Sequence, residues 1–523
     1  MTFRLSRRKF LTRSATAGAA TAMGGFVMPS ISRAGDRPIM THGVQSGDVT
    51  QSTACIWGRA DRASRMVTEI ATTEGFKKSV RIPHVDVLPE RDFAGKLALA
   101  DLPAGQDIFY KIHFENLDDG RASSEPIIGH FRTAPAAKRN IRFGWSGDTG
   151  GQGWGIDEDR GGMKTYATIA RHNPDFFIHS GDTIYADGPF AETKETPDGE
   201  IWKNITTEDT AKVAETLDEF RGNYKYNMLD QHVREFNRLV PVYYQWDDHE
   251  VTNNWYPGEM LLGDDRYTEK SASLLAARAN RAFREMLPIT EHASEPGRVY
   301  RKVSYGPSLE IFFLDMRTYR GTNDANNSPS PTDNTDFLGR AQMEWLKRGL
   351  LNSKATWKVI AADMPIGMIV YDDWKNKSTF ENLANGDGAP AGRELEIVEL
   401  LRFIKNAKIN NTVWLTADVH YTAAHYYDPN KAQFQDFEPF WEFVSGPLHA
   451  GTFGPNDMDN TFGPQVKFTK HPTEDQGINL PPSYGLQFFG LVDIDADTEQ
   501  FRVSLRDVAD EELYTVTLDP VYS

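Results

Sequence analysis

The chain has 523 residues, a formal net charge of −17 at pH 7 and one cysteine, Cys55. The negative charge argues against a nucleic-acid-binding protein, which needs a basic surface, and a single cysteine excludes an intramolecular disulfide. Because one hydrophobic core rarely extends beyond roughly 250–300 residues, we expect more than one domain.

The first 34 residues have the features of an export signal. The basic segment SRRKFL, with Arg7 and Arg8, precedes a weakly apolar stretch and the small residues Ser32 and Ala34, which is the order of a signal peptide. Paired arginines point to the twin-arginine export machinery as a partner during biogenesis. We therefore predict a signal peptide at residues 1–34 and a periplasmic or secreted mature protein. No later segment reaches the roughly 18 apolar residues of a membrane span.

Residues 35–136 are predicted to form a small all-β domain. Strand-like runs such as TACIWGRA, RMVTEIAT and DIFYKIHFE alternate with turn-rich stretches, at the spacing of a β-sandwich. The segments LPAGQDIFYKIHF and GHFRTAP resemble late strands of a fibronectin type III-like or immunoglobulin-like sandwich. Pro135 and the basic segment AKRN mark the end of this domain.

Residues 139–523 are predicted to form an α/β domain. Short apolar strands, from IRFGWSGD and FFIHSGD to WKVIAADM and TVWLTADVH, alternate with helical segments such as MKTYATIARH and RAQMEWLKRGLL. This alternation is typical of a layered sheet flanked by helices. The pair GLQFFGLVDIDAD and QFRVSLRDV is expected to complete the sheet as antiparallel strands.

Several of these strands end in acids or imidazoles. An aspartate at one strand end is equally well explained as a helix cap. Several acids at the carboxyl ends of one sheet, where ligands bind in open α/β folds, would repel one another unless multivalent cations lay between them. The residues concerned are Asp148, Asp182, Asp248, His249, Asp418 and His420.

The ligand types indicate which cations. Tyr185 follows Asp182 by three residues in GDTIY, so one loop can direct both side chains at one ion. A tyrosinate ligand needs a hard, strongly acidic metal such as Fe³⁺. Asp248 and Asp418 supply only oxygen, which suits Ca²⁺, Mg²⁺ or Mn²⁺.

Four motifs in order, GDTG, GDTIY, DDHE and ADVH, are similar to the GD, GDxxY, GNHE and GHxH series of metallophosphoesterases. The longer segments HSGDTIYADG, WDDHEVTNNW, LDMRTYRG, LGRAQMEWLKRGL and TADVHYTAAH resemble those of the PhoD-type (alkaline phosphatase D) family. The resemblance covers nearly the whole chain. It implies a metallophosphoesterase-like layered β-sheet sandwich with flanking helices, preceded by the small sandwich domain.

The resemblance also implies a metal centre. The ligands would be Asp148, Asp182, Tyr185 and His420 for Fe³⁺, and Asp182, Asp248 and Asp418 for one or two Ca²⁺. Two departures from the pattern matter, because Asp148 stands where PhoD members typically have cysteine, and Asp248 and Asp418 stand where other metallophosphoesterases have Asn and His. Both changes harden the sites, so Mn²⁺ or Mg²⁺ stays an alternative at the second site.

Four further side chains have predicted roles at the substrate. His249 contacts phosphate or protonates the leaving oxygen, with support of a neighbouring ligand as the alternative. Arg317 is the candidate clamp on the phosphoryl oxygens, and Arg320 is the second choice. The alternative for both, favoured more for Arg320 than for Arg317, is a structural pair with Asp315. Asn254 binds phosphate or caps the following helix.

These features predict an exported metal-dependent phosphoesterase for phosphate scavenging. It would hydrolyse small phosphate mono- and diesters at neutral to alkaline pH by attack of metal-activated water. Two alternatives stay open: a phospholipase D-type lipid phosphodiesterase on the same scaffold, and a non-catalytic exported binding protein stabilised by calcium. Asp247 and Glu250 are expected to support the ligands rather than to bind metal.

Overall fold

A computed structural model of the chain describes residues 2–4 and 37–522. Apart from residues 2–4, the predicted signal peptide lies outside the described residues. Residues 2–4 form a short strand that pairs in parallel with residues 98–100. None of the helices in the described part of the chain is long and apolar enough to cross a membrane.

A β-sandwich occupies the beginning of the described chain. Its strands are β1 Thr2–Arg4, β2 Val44–Gly47, β3 Ala54–Arg59, β4 Ser64–Ala71, β5 Val80–Val87, β6 Ala94–Ala100, β7 Asp107–Asn116 and β8 Ile127–Arg132. One antiparallel sheet has the order β5-β4-β7-β8, and β6-β3-β2 lie in the other. Along β7, the buried residues Ile108, Tyr110, Ile112 and Phe114 alternate with half-buried ones. This period of two places one face of β7 in the core between the sheets.

The sandwich is joined to the rest of the molecule by a continuous sheet. β2 pairs in parallel with the strand Val242–Gln245, and the contact is made by Gly47 opposite Val242. A Cβ atom at Gly47 would lie 2.4 Å from the carbonyl oxygen of Val242, so only glycine permits this approach. The predicted boundary between residues 136 and 139 falls in the link between β8 and the next strand.

The remaining elements alternate between strands and helices. The strands are β9 Ile141–Ser146, β10 Phe176–Ser180, β11 Thr193–Glu195, β12 Ile201–Lys203, β13 Val242–Gln245, β14 Arg301–Ser304, β15 Leu309–Phe313, β16 Trp357–Ala361, β17 Thr412–Thr416, β18 Thr422–Tyr427, β19 Phe440–Val444, β20 Pro464–Lys470, β21 Phe488–Ile494, β22 Phe501–Asp507 and β23 Glu512–Leu518. The helices are α1 Lys164–Arg171, α2 Leu217–Asn227, α3 Gln231–Leu239, α4 Ala272–Met286, α5 Gly339–Asn352 and α6 Glu394–Asn406.

Two mixed sheets pack face to face with helices outside them. The first continues from the sandwich as β2-β13-β10-β9-β21-β22-β23, and the second has the order β14-β15-β16-β17-β19-β18-β20. Inward residues such as Phe143 and Ile178 share a core with Val359 and Leu415 of the second sheet. Helices α1, α3 and α4 pack on the outer face of the first sheet, and α5 and α6 on that of the second. This is the predicted layered α/β domain, and β21 and β22 are the predicted antiparallel pair.

Candidate metal centre

Parallel strands of both sheets direct their carboxyl ends at one cleft. β9, β10 and β13 run parallel in the first sheet, and β15, β16 and β17 in the second. Each of these strands is followed within three residues by an aspartate, which places the acids at a common edge. These aspartates are Asp148, Asp182, Asp247 and Asp248 after the first set, and Asp315, Asp363 and Asp418 after the second.

The backbone at this edge is held in an unusual conformation. Asp148, Asp182, Asp418 and His420 have φ angles of 66°, 50°, 66° and 60°. Residues other than glycine rarely adopt this left-handed region, because it costs free energy. The conformation persists only where the surrounding structure imposes it. Strain concentrated on four neighbouring candidate ligands indicates that the fold aims these side chains at the cleft.

Acids and histidines at the cleft form a continuous row. Within the described residues, three groups have ligand atoms that all lie within 4.8 Å of one another. Asp182 belongs to the first and second groups, and Asp248 to the second and third. The groups are Asp148, Asp182 and His420; Asp182, Asp248 and His249; and Asp247, Asp248 and Asp418.

Three carboxylates in this row each have one oxygen without a donor. Asp148 Oδ2, Asp182 Oδ2 and Asp247 Oδ2 are buried without a hydrogen-bond partner in the protein. Burial, and then the charge of Asp247, raises the pKa of Asp148 well above its usual range, and burial followed by Asp248 does the same for Asp182. Buried carboxylates without donors are costly. A multivalent cation between them would remove that cost, so the residues present fit a metal centre.

His420 has the protonation state that a metal ligand requires, whereas burial and then the charge of Asp182 raise the pKa of Tyr185 well above its usual range, so a cation would have to displace the phenol proton. Nδ1 of His420 donates to the carbonyl of Gly451 at 2.5 Å, which leaves the lone pair of Nε2 free towards Asp148 and Tyr185. Burial lowers the pKa of His420 to about 4, so this imidazole is neutral at neutral pH. Tyr185 Oη lies 2.8 Å from His420 Nε2. A Cβ atom at Gly151 would lie 2.2 Å from the Tyr185 ring, so glycine at this position makes room for the phenol.

His249 differs from His420 because it is paired with a carboxylate. Its Nδ1 lies 2.7 Å from Oδ1 of Asp187. Burial alone would lower its pKa, but Asp187 and Asp248 outweigh burial and raise it to about 10. His249 lines the cleft, and these two carboxylates favour its charged form in the absence of a bound cation. For Asp248, burial opposes ionisation, but His249 and Arg317 together hold the pKa below its usual value.

Glu250 ties the two ligand-bearing loops together. Its carboxylate accepts hydrogen bonds from the backbone amides of Asp182 at 3.1 Å, Thr183 at 2.6 Å and Asp247 at 2.8 Å. Glu250 is thus a structural carboxylate beneath the row, which is the role expected of it. Asp247 contacts Arg317 through Oδ1 at 2.5 Å, while its Oδ2 belongs to the row described above.

The position of Arg317 does not support the prediction that it clamps phosphate. Its side chain is wholly buried, and its Nη2 lies 2.5 Å from Glu381 and 3.7 Å from Asp248. It stands behind the carboxylates and is not among the residues that line the cleft. Arg320 is also buried, and its Nη2 donates to Asn323 and to the carbonyl of Glu381. Both arginines neutralise or position neighbouring groups from behind the cleft.

Asn254 lines the cleft, and both its backbone amide and its side-chain amide donate hydrogen bonds. Its backbone amide donates to Asp248 Oδ2 at 2.6 Å, and its side-chain amide donates to Asp372 Oδ1 at 3.1 Å. No helix begins at this residue, so the structure offers no support for the helix-cap alternative. The cleft has a volume of about 270 Å³.

Sequence reasoning missed several charged residues of the site. Asp363 follows β16 and is fully buried with both oxygens unpartnered, and the segment WKVIAADM ends in an acid just as the other strands do. That pattern could have identified it. Asp187 and Glu381 lie in loops, and no local pattern distinguishes them from ordinary polar loop residues.

The layered fold and the row of ligand groups define a metal-dependent phosphoesterase. Residues 143–505 match the sequence model of the PhoD-like phosphatase family, and residues 26–135 match that of the PhoD-like phosphatase N-terminal domain. The chain belongs to the PhoD-like phosphatase family. Membership makes it a phosphoesterase rather than the non-catalytic binding protein considered as an alternative.

Individual relatives agree with the family assignment. The chain is 27% identical to alkaline phosphatase D of Bacillus subtilis (strain 168) over 429 residues, which are 77% of this chain and 67% of that protein. A solved structure of PhoD superposes with a TM-score of 0.67 at 20% identity, covering 94% of this chain and 90% of that one. A purple acid phosphatase from yellow lupin (Lupinus luteus) seeds gives a TM-score of 0.56 at 12% identity, covering 92% and 74%. These superpositions confirm the predicted fold class.

Proposed function

We propose that this protein is an exported enzyme that hydrolyses small phosphate mono- and diesters at neutral to alkaline pH and so releases phosphate for uptake. One observation carries the proposal. Asp182 and Asp248 each belong to two overlapping ligand groups, so the same carboxylates can bridge adjacent cations. Such a pair of sites is the arrangement that phosphate ester hydrolysis uses to stabilise both the attacking and the leaving oxygen.

The donor sets of the two subsites differ. Asp148, Asp182, Tyr185 and His420 would hold Fe³⁺, because a phenolate and two carboxylates with one neutral imidazole form a hard, anionic set. Asp248 and Asp418, with Asp182 shared, would hold Ca²⁺, Mn²⁺ or Mg²⁺, because they supply only oxygen. Cations held by these residues would supply Lewis acidity for the activation of water and would offset charge on the phosphoryl oxygens.

The protein groups around the cations have separable roles. His249, charged and held at Nδ1 by Asp187, presents Nε2 as the donor to a phosphoryl oxygen or the proton source for the leaving oxygen. Asn254 positions Asp248 and adds polar surface to the cleft. Arg317 is a positioning residue, since its guanidinium contacts Asp247 and Glu381 and holds these buried carboxylates in place.

Two single substitutions test the site. Asp182→Ala and Asp248→Ala should each abolish hydrolysis of an aryl phosphate and a bis-aryl phosphate, and both should lower the bound metal measured by elemental analysis. Asp315→Asn is the matched control. Asp315 is buried at a strand end, but it accepts from Trp246, Arg317 and Thr318, and asparagine retains an acceptor. Wild-type rates in both alanine variants would contradict the site assignment.

A comparison of substrates distinguishes the proposed enzyme from a phospholipase D-type lipid phosphodiesterase. Faster hydrolysis of phosphatidylcholine than of either aryl ester would identify a lipid phosphodiesterase instead. Metal analysis of the purified protein together with its visible absorbance would identify the cations, because an iron–tyrosinate centre absorbs visible light.

The export part of the proposal rests on Arg7, Arg8 and the small residues before Gly35. Replacing both arginines by lysine should retain the enzyme in the cytoplasm, and cell fractionation followed by activity measurement would show this. Equal amounts of the variant and the unmodified chain outside the cytoplasm would contradict twin-arginine export.

A further inference from the structure

A loop at residues 370–381 forms one wall of the metal cleft and carries an exposed indole. Trp374 lines the same cleft as Asp248, His249 and Asp418, yet 71% of its surface is exposed. An indole is among the largest apolar groups that a protein can bury, and burial is its usual fate. A single exposed apolar residue is unremarkable by itself. Trp374 differs because its loop is closed and because it lies in the lining of the cleft that holds the candidate metal ligands.

The backbone of the loop around Trp374 is closed by several contacts. The rings of Tyr371 and Phe380 pack at a centroid distance of 5.1 Å, and the amide of Asp372 donates to the carbonyl of Thr379 at 3.0 Å. At the tip, the Asp373 carboxylate accepts hydrogen bonds from Asn376 and Ser378. The indole is thus carried on a closed turn, and little backbone entropy would be lost when a ligand stacks on it.

Two hydrogen bonds connect this loop to a candidate metal ligand. Asn254 Nδ2 donates to Asp372 Oδ1 at 3.1 Å, and the amide of the same residue donates to Asp248 Oδ2 at 2.6 Å. The loop that carries the indole is therefore held at a fixed distance from the row of candidate metal ligands. A phosphate held by the row would have its organic substituent directed along a wall that carries Trp374.

The other groups around the cleft indicate what the substituent is. Among the described residues that line it there is no lysine or arginine, and Tyr371, Phe453, Asn253 and Asn456 line it together with Trp374. Lys375 is close, with its Nζ 5.5 Å from the centre of the Trp374 ring. Polar groups and flat rings suit a planar heteroaromatic group with polar edges. An acyl chain would instead need a contiguous apolar patch, and the net charge of −17 disfavours an anionic lipid surface.

We propose that Trp374 determines specificity by stacking on the base of a nucleotide-type ester, so that the enzyme prefers nucleoside 5′-phosphodiesters to aliphatic ones. This rests on the phosphoesterase function proposed above and adds the class of its preferred substrate. Stacking between an aromatic side chain and a base tolerates any base, since each has a π face. The preference is therefore expected for nucleosides as a class.

Two esters with the same leaving group isolate this contribution. Thymidine 5′-(p-nitrophenyl) phosphate and methyl p-nitrophenyl phosphate both release p-nitrophenolate, so the chemistry is matched. The ratio of their kcat/KM values in the metal-loaded enzyme should fall about 5- to 150-fold in Trp374→Ala, mainly through KM, which is the range that loss of one stacking contact spans. Trp374→Phe keeps a flat ring and should recover most of the ratio.

A second readout compares affinities by competition. Thymidine 5′-phosphate, itself a small monoester and so a competing substrate, should slow the initial rate of methyl p-nitrophenyl phosphate hydrolysis, and its apparent inhibition constant should rise in Trp374→Ala by a similar factor. Tyr522→Ala is the matched control, because Tyr522 is an aromatic residue that is 67% exposed near the end of the chain and does not line the cleft. It should leave both the ratio and the inhibition constant unchanged.

The outcomes separate this proposal from the proposed function. A folded Trp374→Ala enzyme that hydrolyses the methyl ester but keeps the wild-type ratio overturns the stacking role and leaves the phosphoesterase intact. A wild-type enzyme inactive on both esters overturns the two proposals together. If Trp374→Ala instead weakens binding to phosphatidylcholine–phosphatidylglycerol vesicles while the ratio stays the same, the indole serves a lipid surface and the nucleoside proposal is wrong.

Discussion

Tyr185 Oη and His420 Nε2 lie 2.8 Å apart at the proposed first metal subsite, although 235 positions separate the two residues in the chain. The loop after β10 supplies the phenol, and the loop after β17 supplies the imidazole. Because one loop belongs to each sheet, the first subsite exists only when the two sheets pack face to face. Metal binding and folding of the α/β domain should therefore be coupled.

Removing the phenol oxygen tests the first subsite. Tyr185→Phe keeps the ring that packs 4.3 Å from the centre of His249 but removes the phenolate. We expect the visible absorbance to disappear and metal affinity to fall by at least the roughly 10–100-fold that loss of an outer-sphere partner costs. Tyr166→Phe is the control, since Tyr166 is buried but bonds to Thr149. Unchanged absorbance in Tyr185→Phe would show that another group binds the metal.

Glu250 should matter for stability as well as activity. In Glu250→Gln, an NH₂ replaces one carboxylate oxygen and cannot accept, so at least one of the backbone hydrogen bonds that Asp182, Thr183 and Asp247 donate is lost. Leaving a buried amide unpaired costs about 1–3 kcal/mol. We expect a loss of that size in the free energy of urea unfolding, and lower activity because the two ligand loops are no longer tied together. The exposed Glu158 provides the comparison, and equal effects of both substitutions would contradict the structural role.

Arg317 is predicted to stabilise the site without touching substrate. Arg317→Met leaves Asp247 and Glu381 buried without their cation, and breaking a buried pair in this way costs about 3–5 kcal/mol. Arg317→Lys should recover little of this stability, because a single ammonium group cannot contact Asp247 and Glu381 at once as the planar guanidinium does. Arg502→Met, at the partly exposed pair with Glu512, should cost less than about 1 kcal/mol. A stable Arg317→Met enzyme with only a raised KM would instead indicate a direct phosphate contact.

Glu394 is predicted to make stability depend on pH. Burial, and then the neighbouring Asp459, raises the pKa of Glu394 to about 9. The folded protein therefore keeps a proton that the unfolded chain releases near its ordinary pKa of about 4.3. The stability from this proton is complete below the unfolded pKa and is lost as the pH rises towards the folded pKa.

Glu394→Gln imitates the protonated carboxyl and should remove this dependence. The free energy of unfolding of the variant minus that of the wild type should rise between pH 5 and pH 9, by at most ~1.4 kcal/mol per pH unit. Urea unfolding at three pH values in this range would measure it. Parallel curves for the two proteins would show that Glu394 does not carry the proton.

Three helices were not predicted from the sequence. α2 and α3 carry many polar residues and were not predicted, but Thr216 and Asp230 cap them through bonds to Glu219 and to His232 and Val233. α6 also went unpredicted, and it buries Ile397, Leu400 and Leu401 against the second sheet. Tertiary packing stabilises such segments more than intrinsic propensity does.

The sequence by itself determined the strands that end at the cleft, the acids at their carboxyl ends and the spacing of Tyr185 from Asp182. These features depend on local rules, because apolar runs form buried strands and parallel strands end at a common edge. Only the tertiary structure decided which partner each charged group has. His249 pairs with Asp187, 62 positions away, and Arg317 points behind the row instead of into the cleft. Such pairings depend on long-range packing and on the cost of burying an unpaired charge, which no local pattern records.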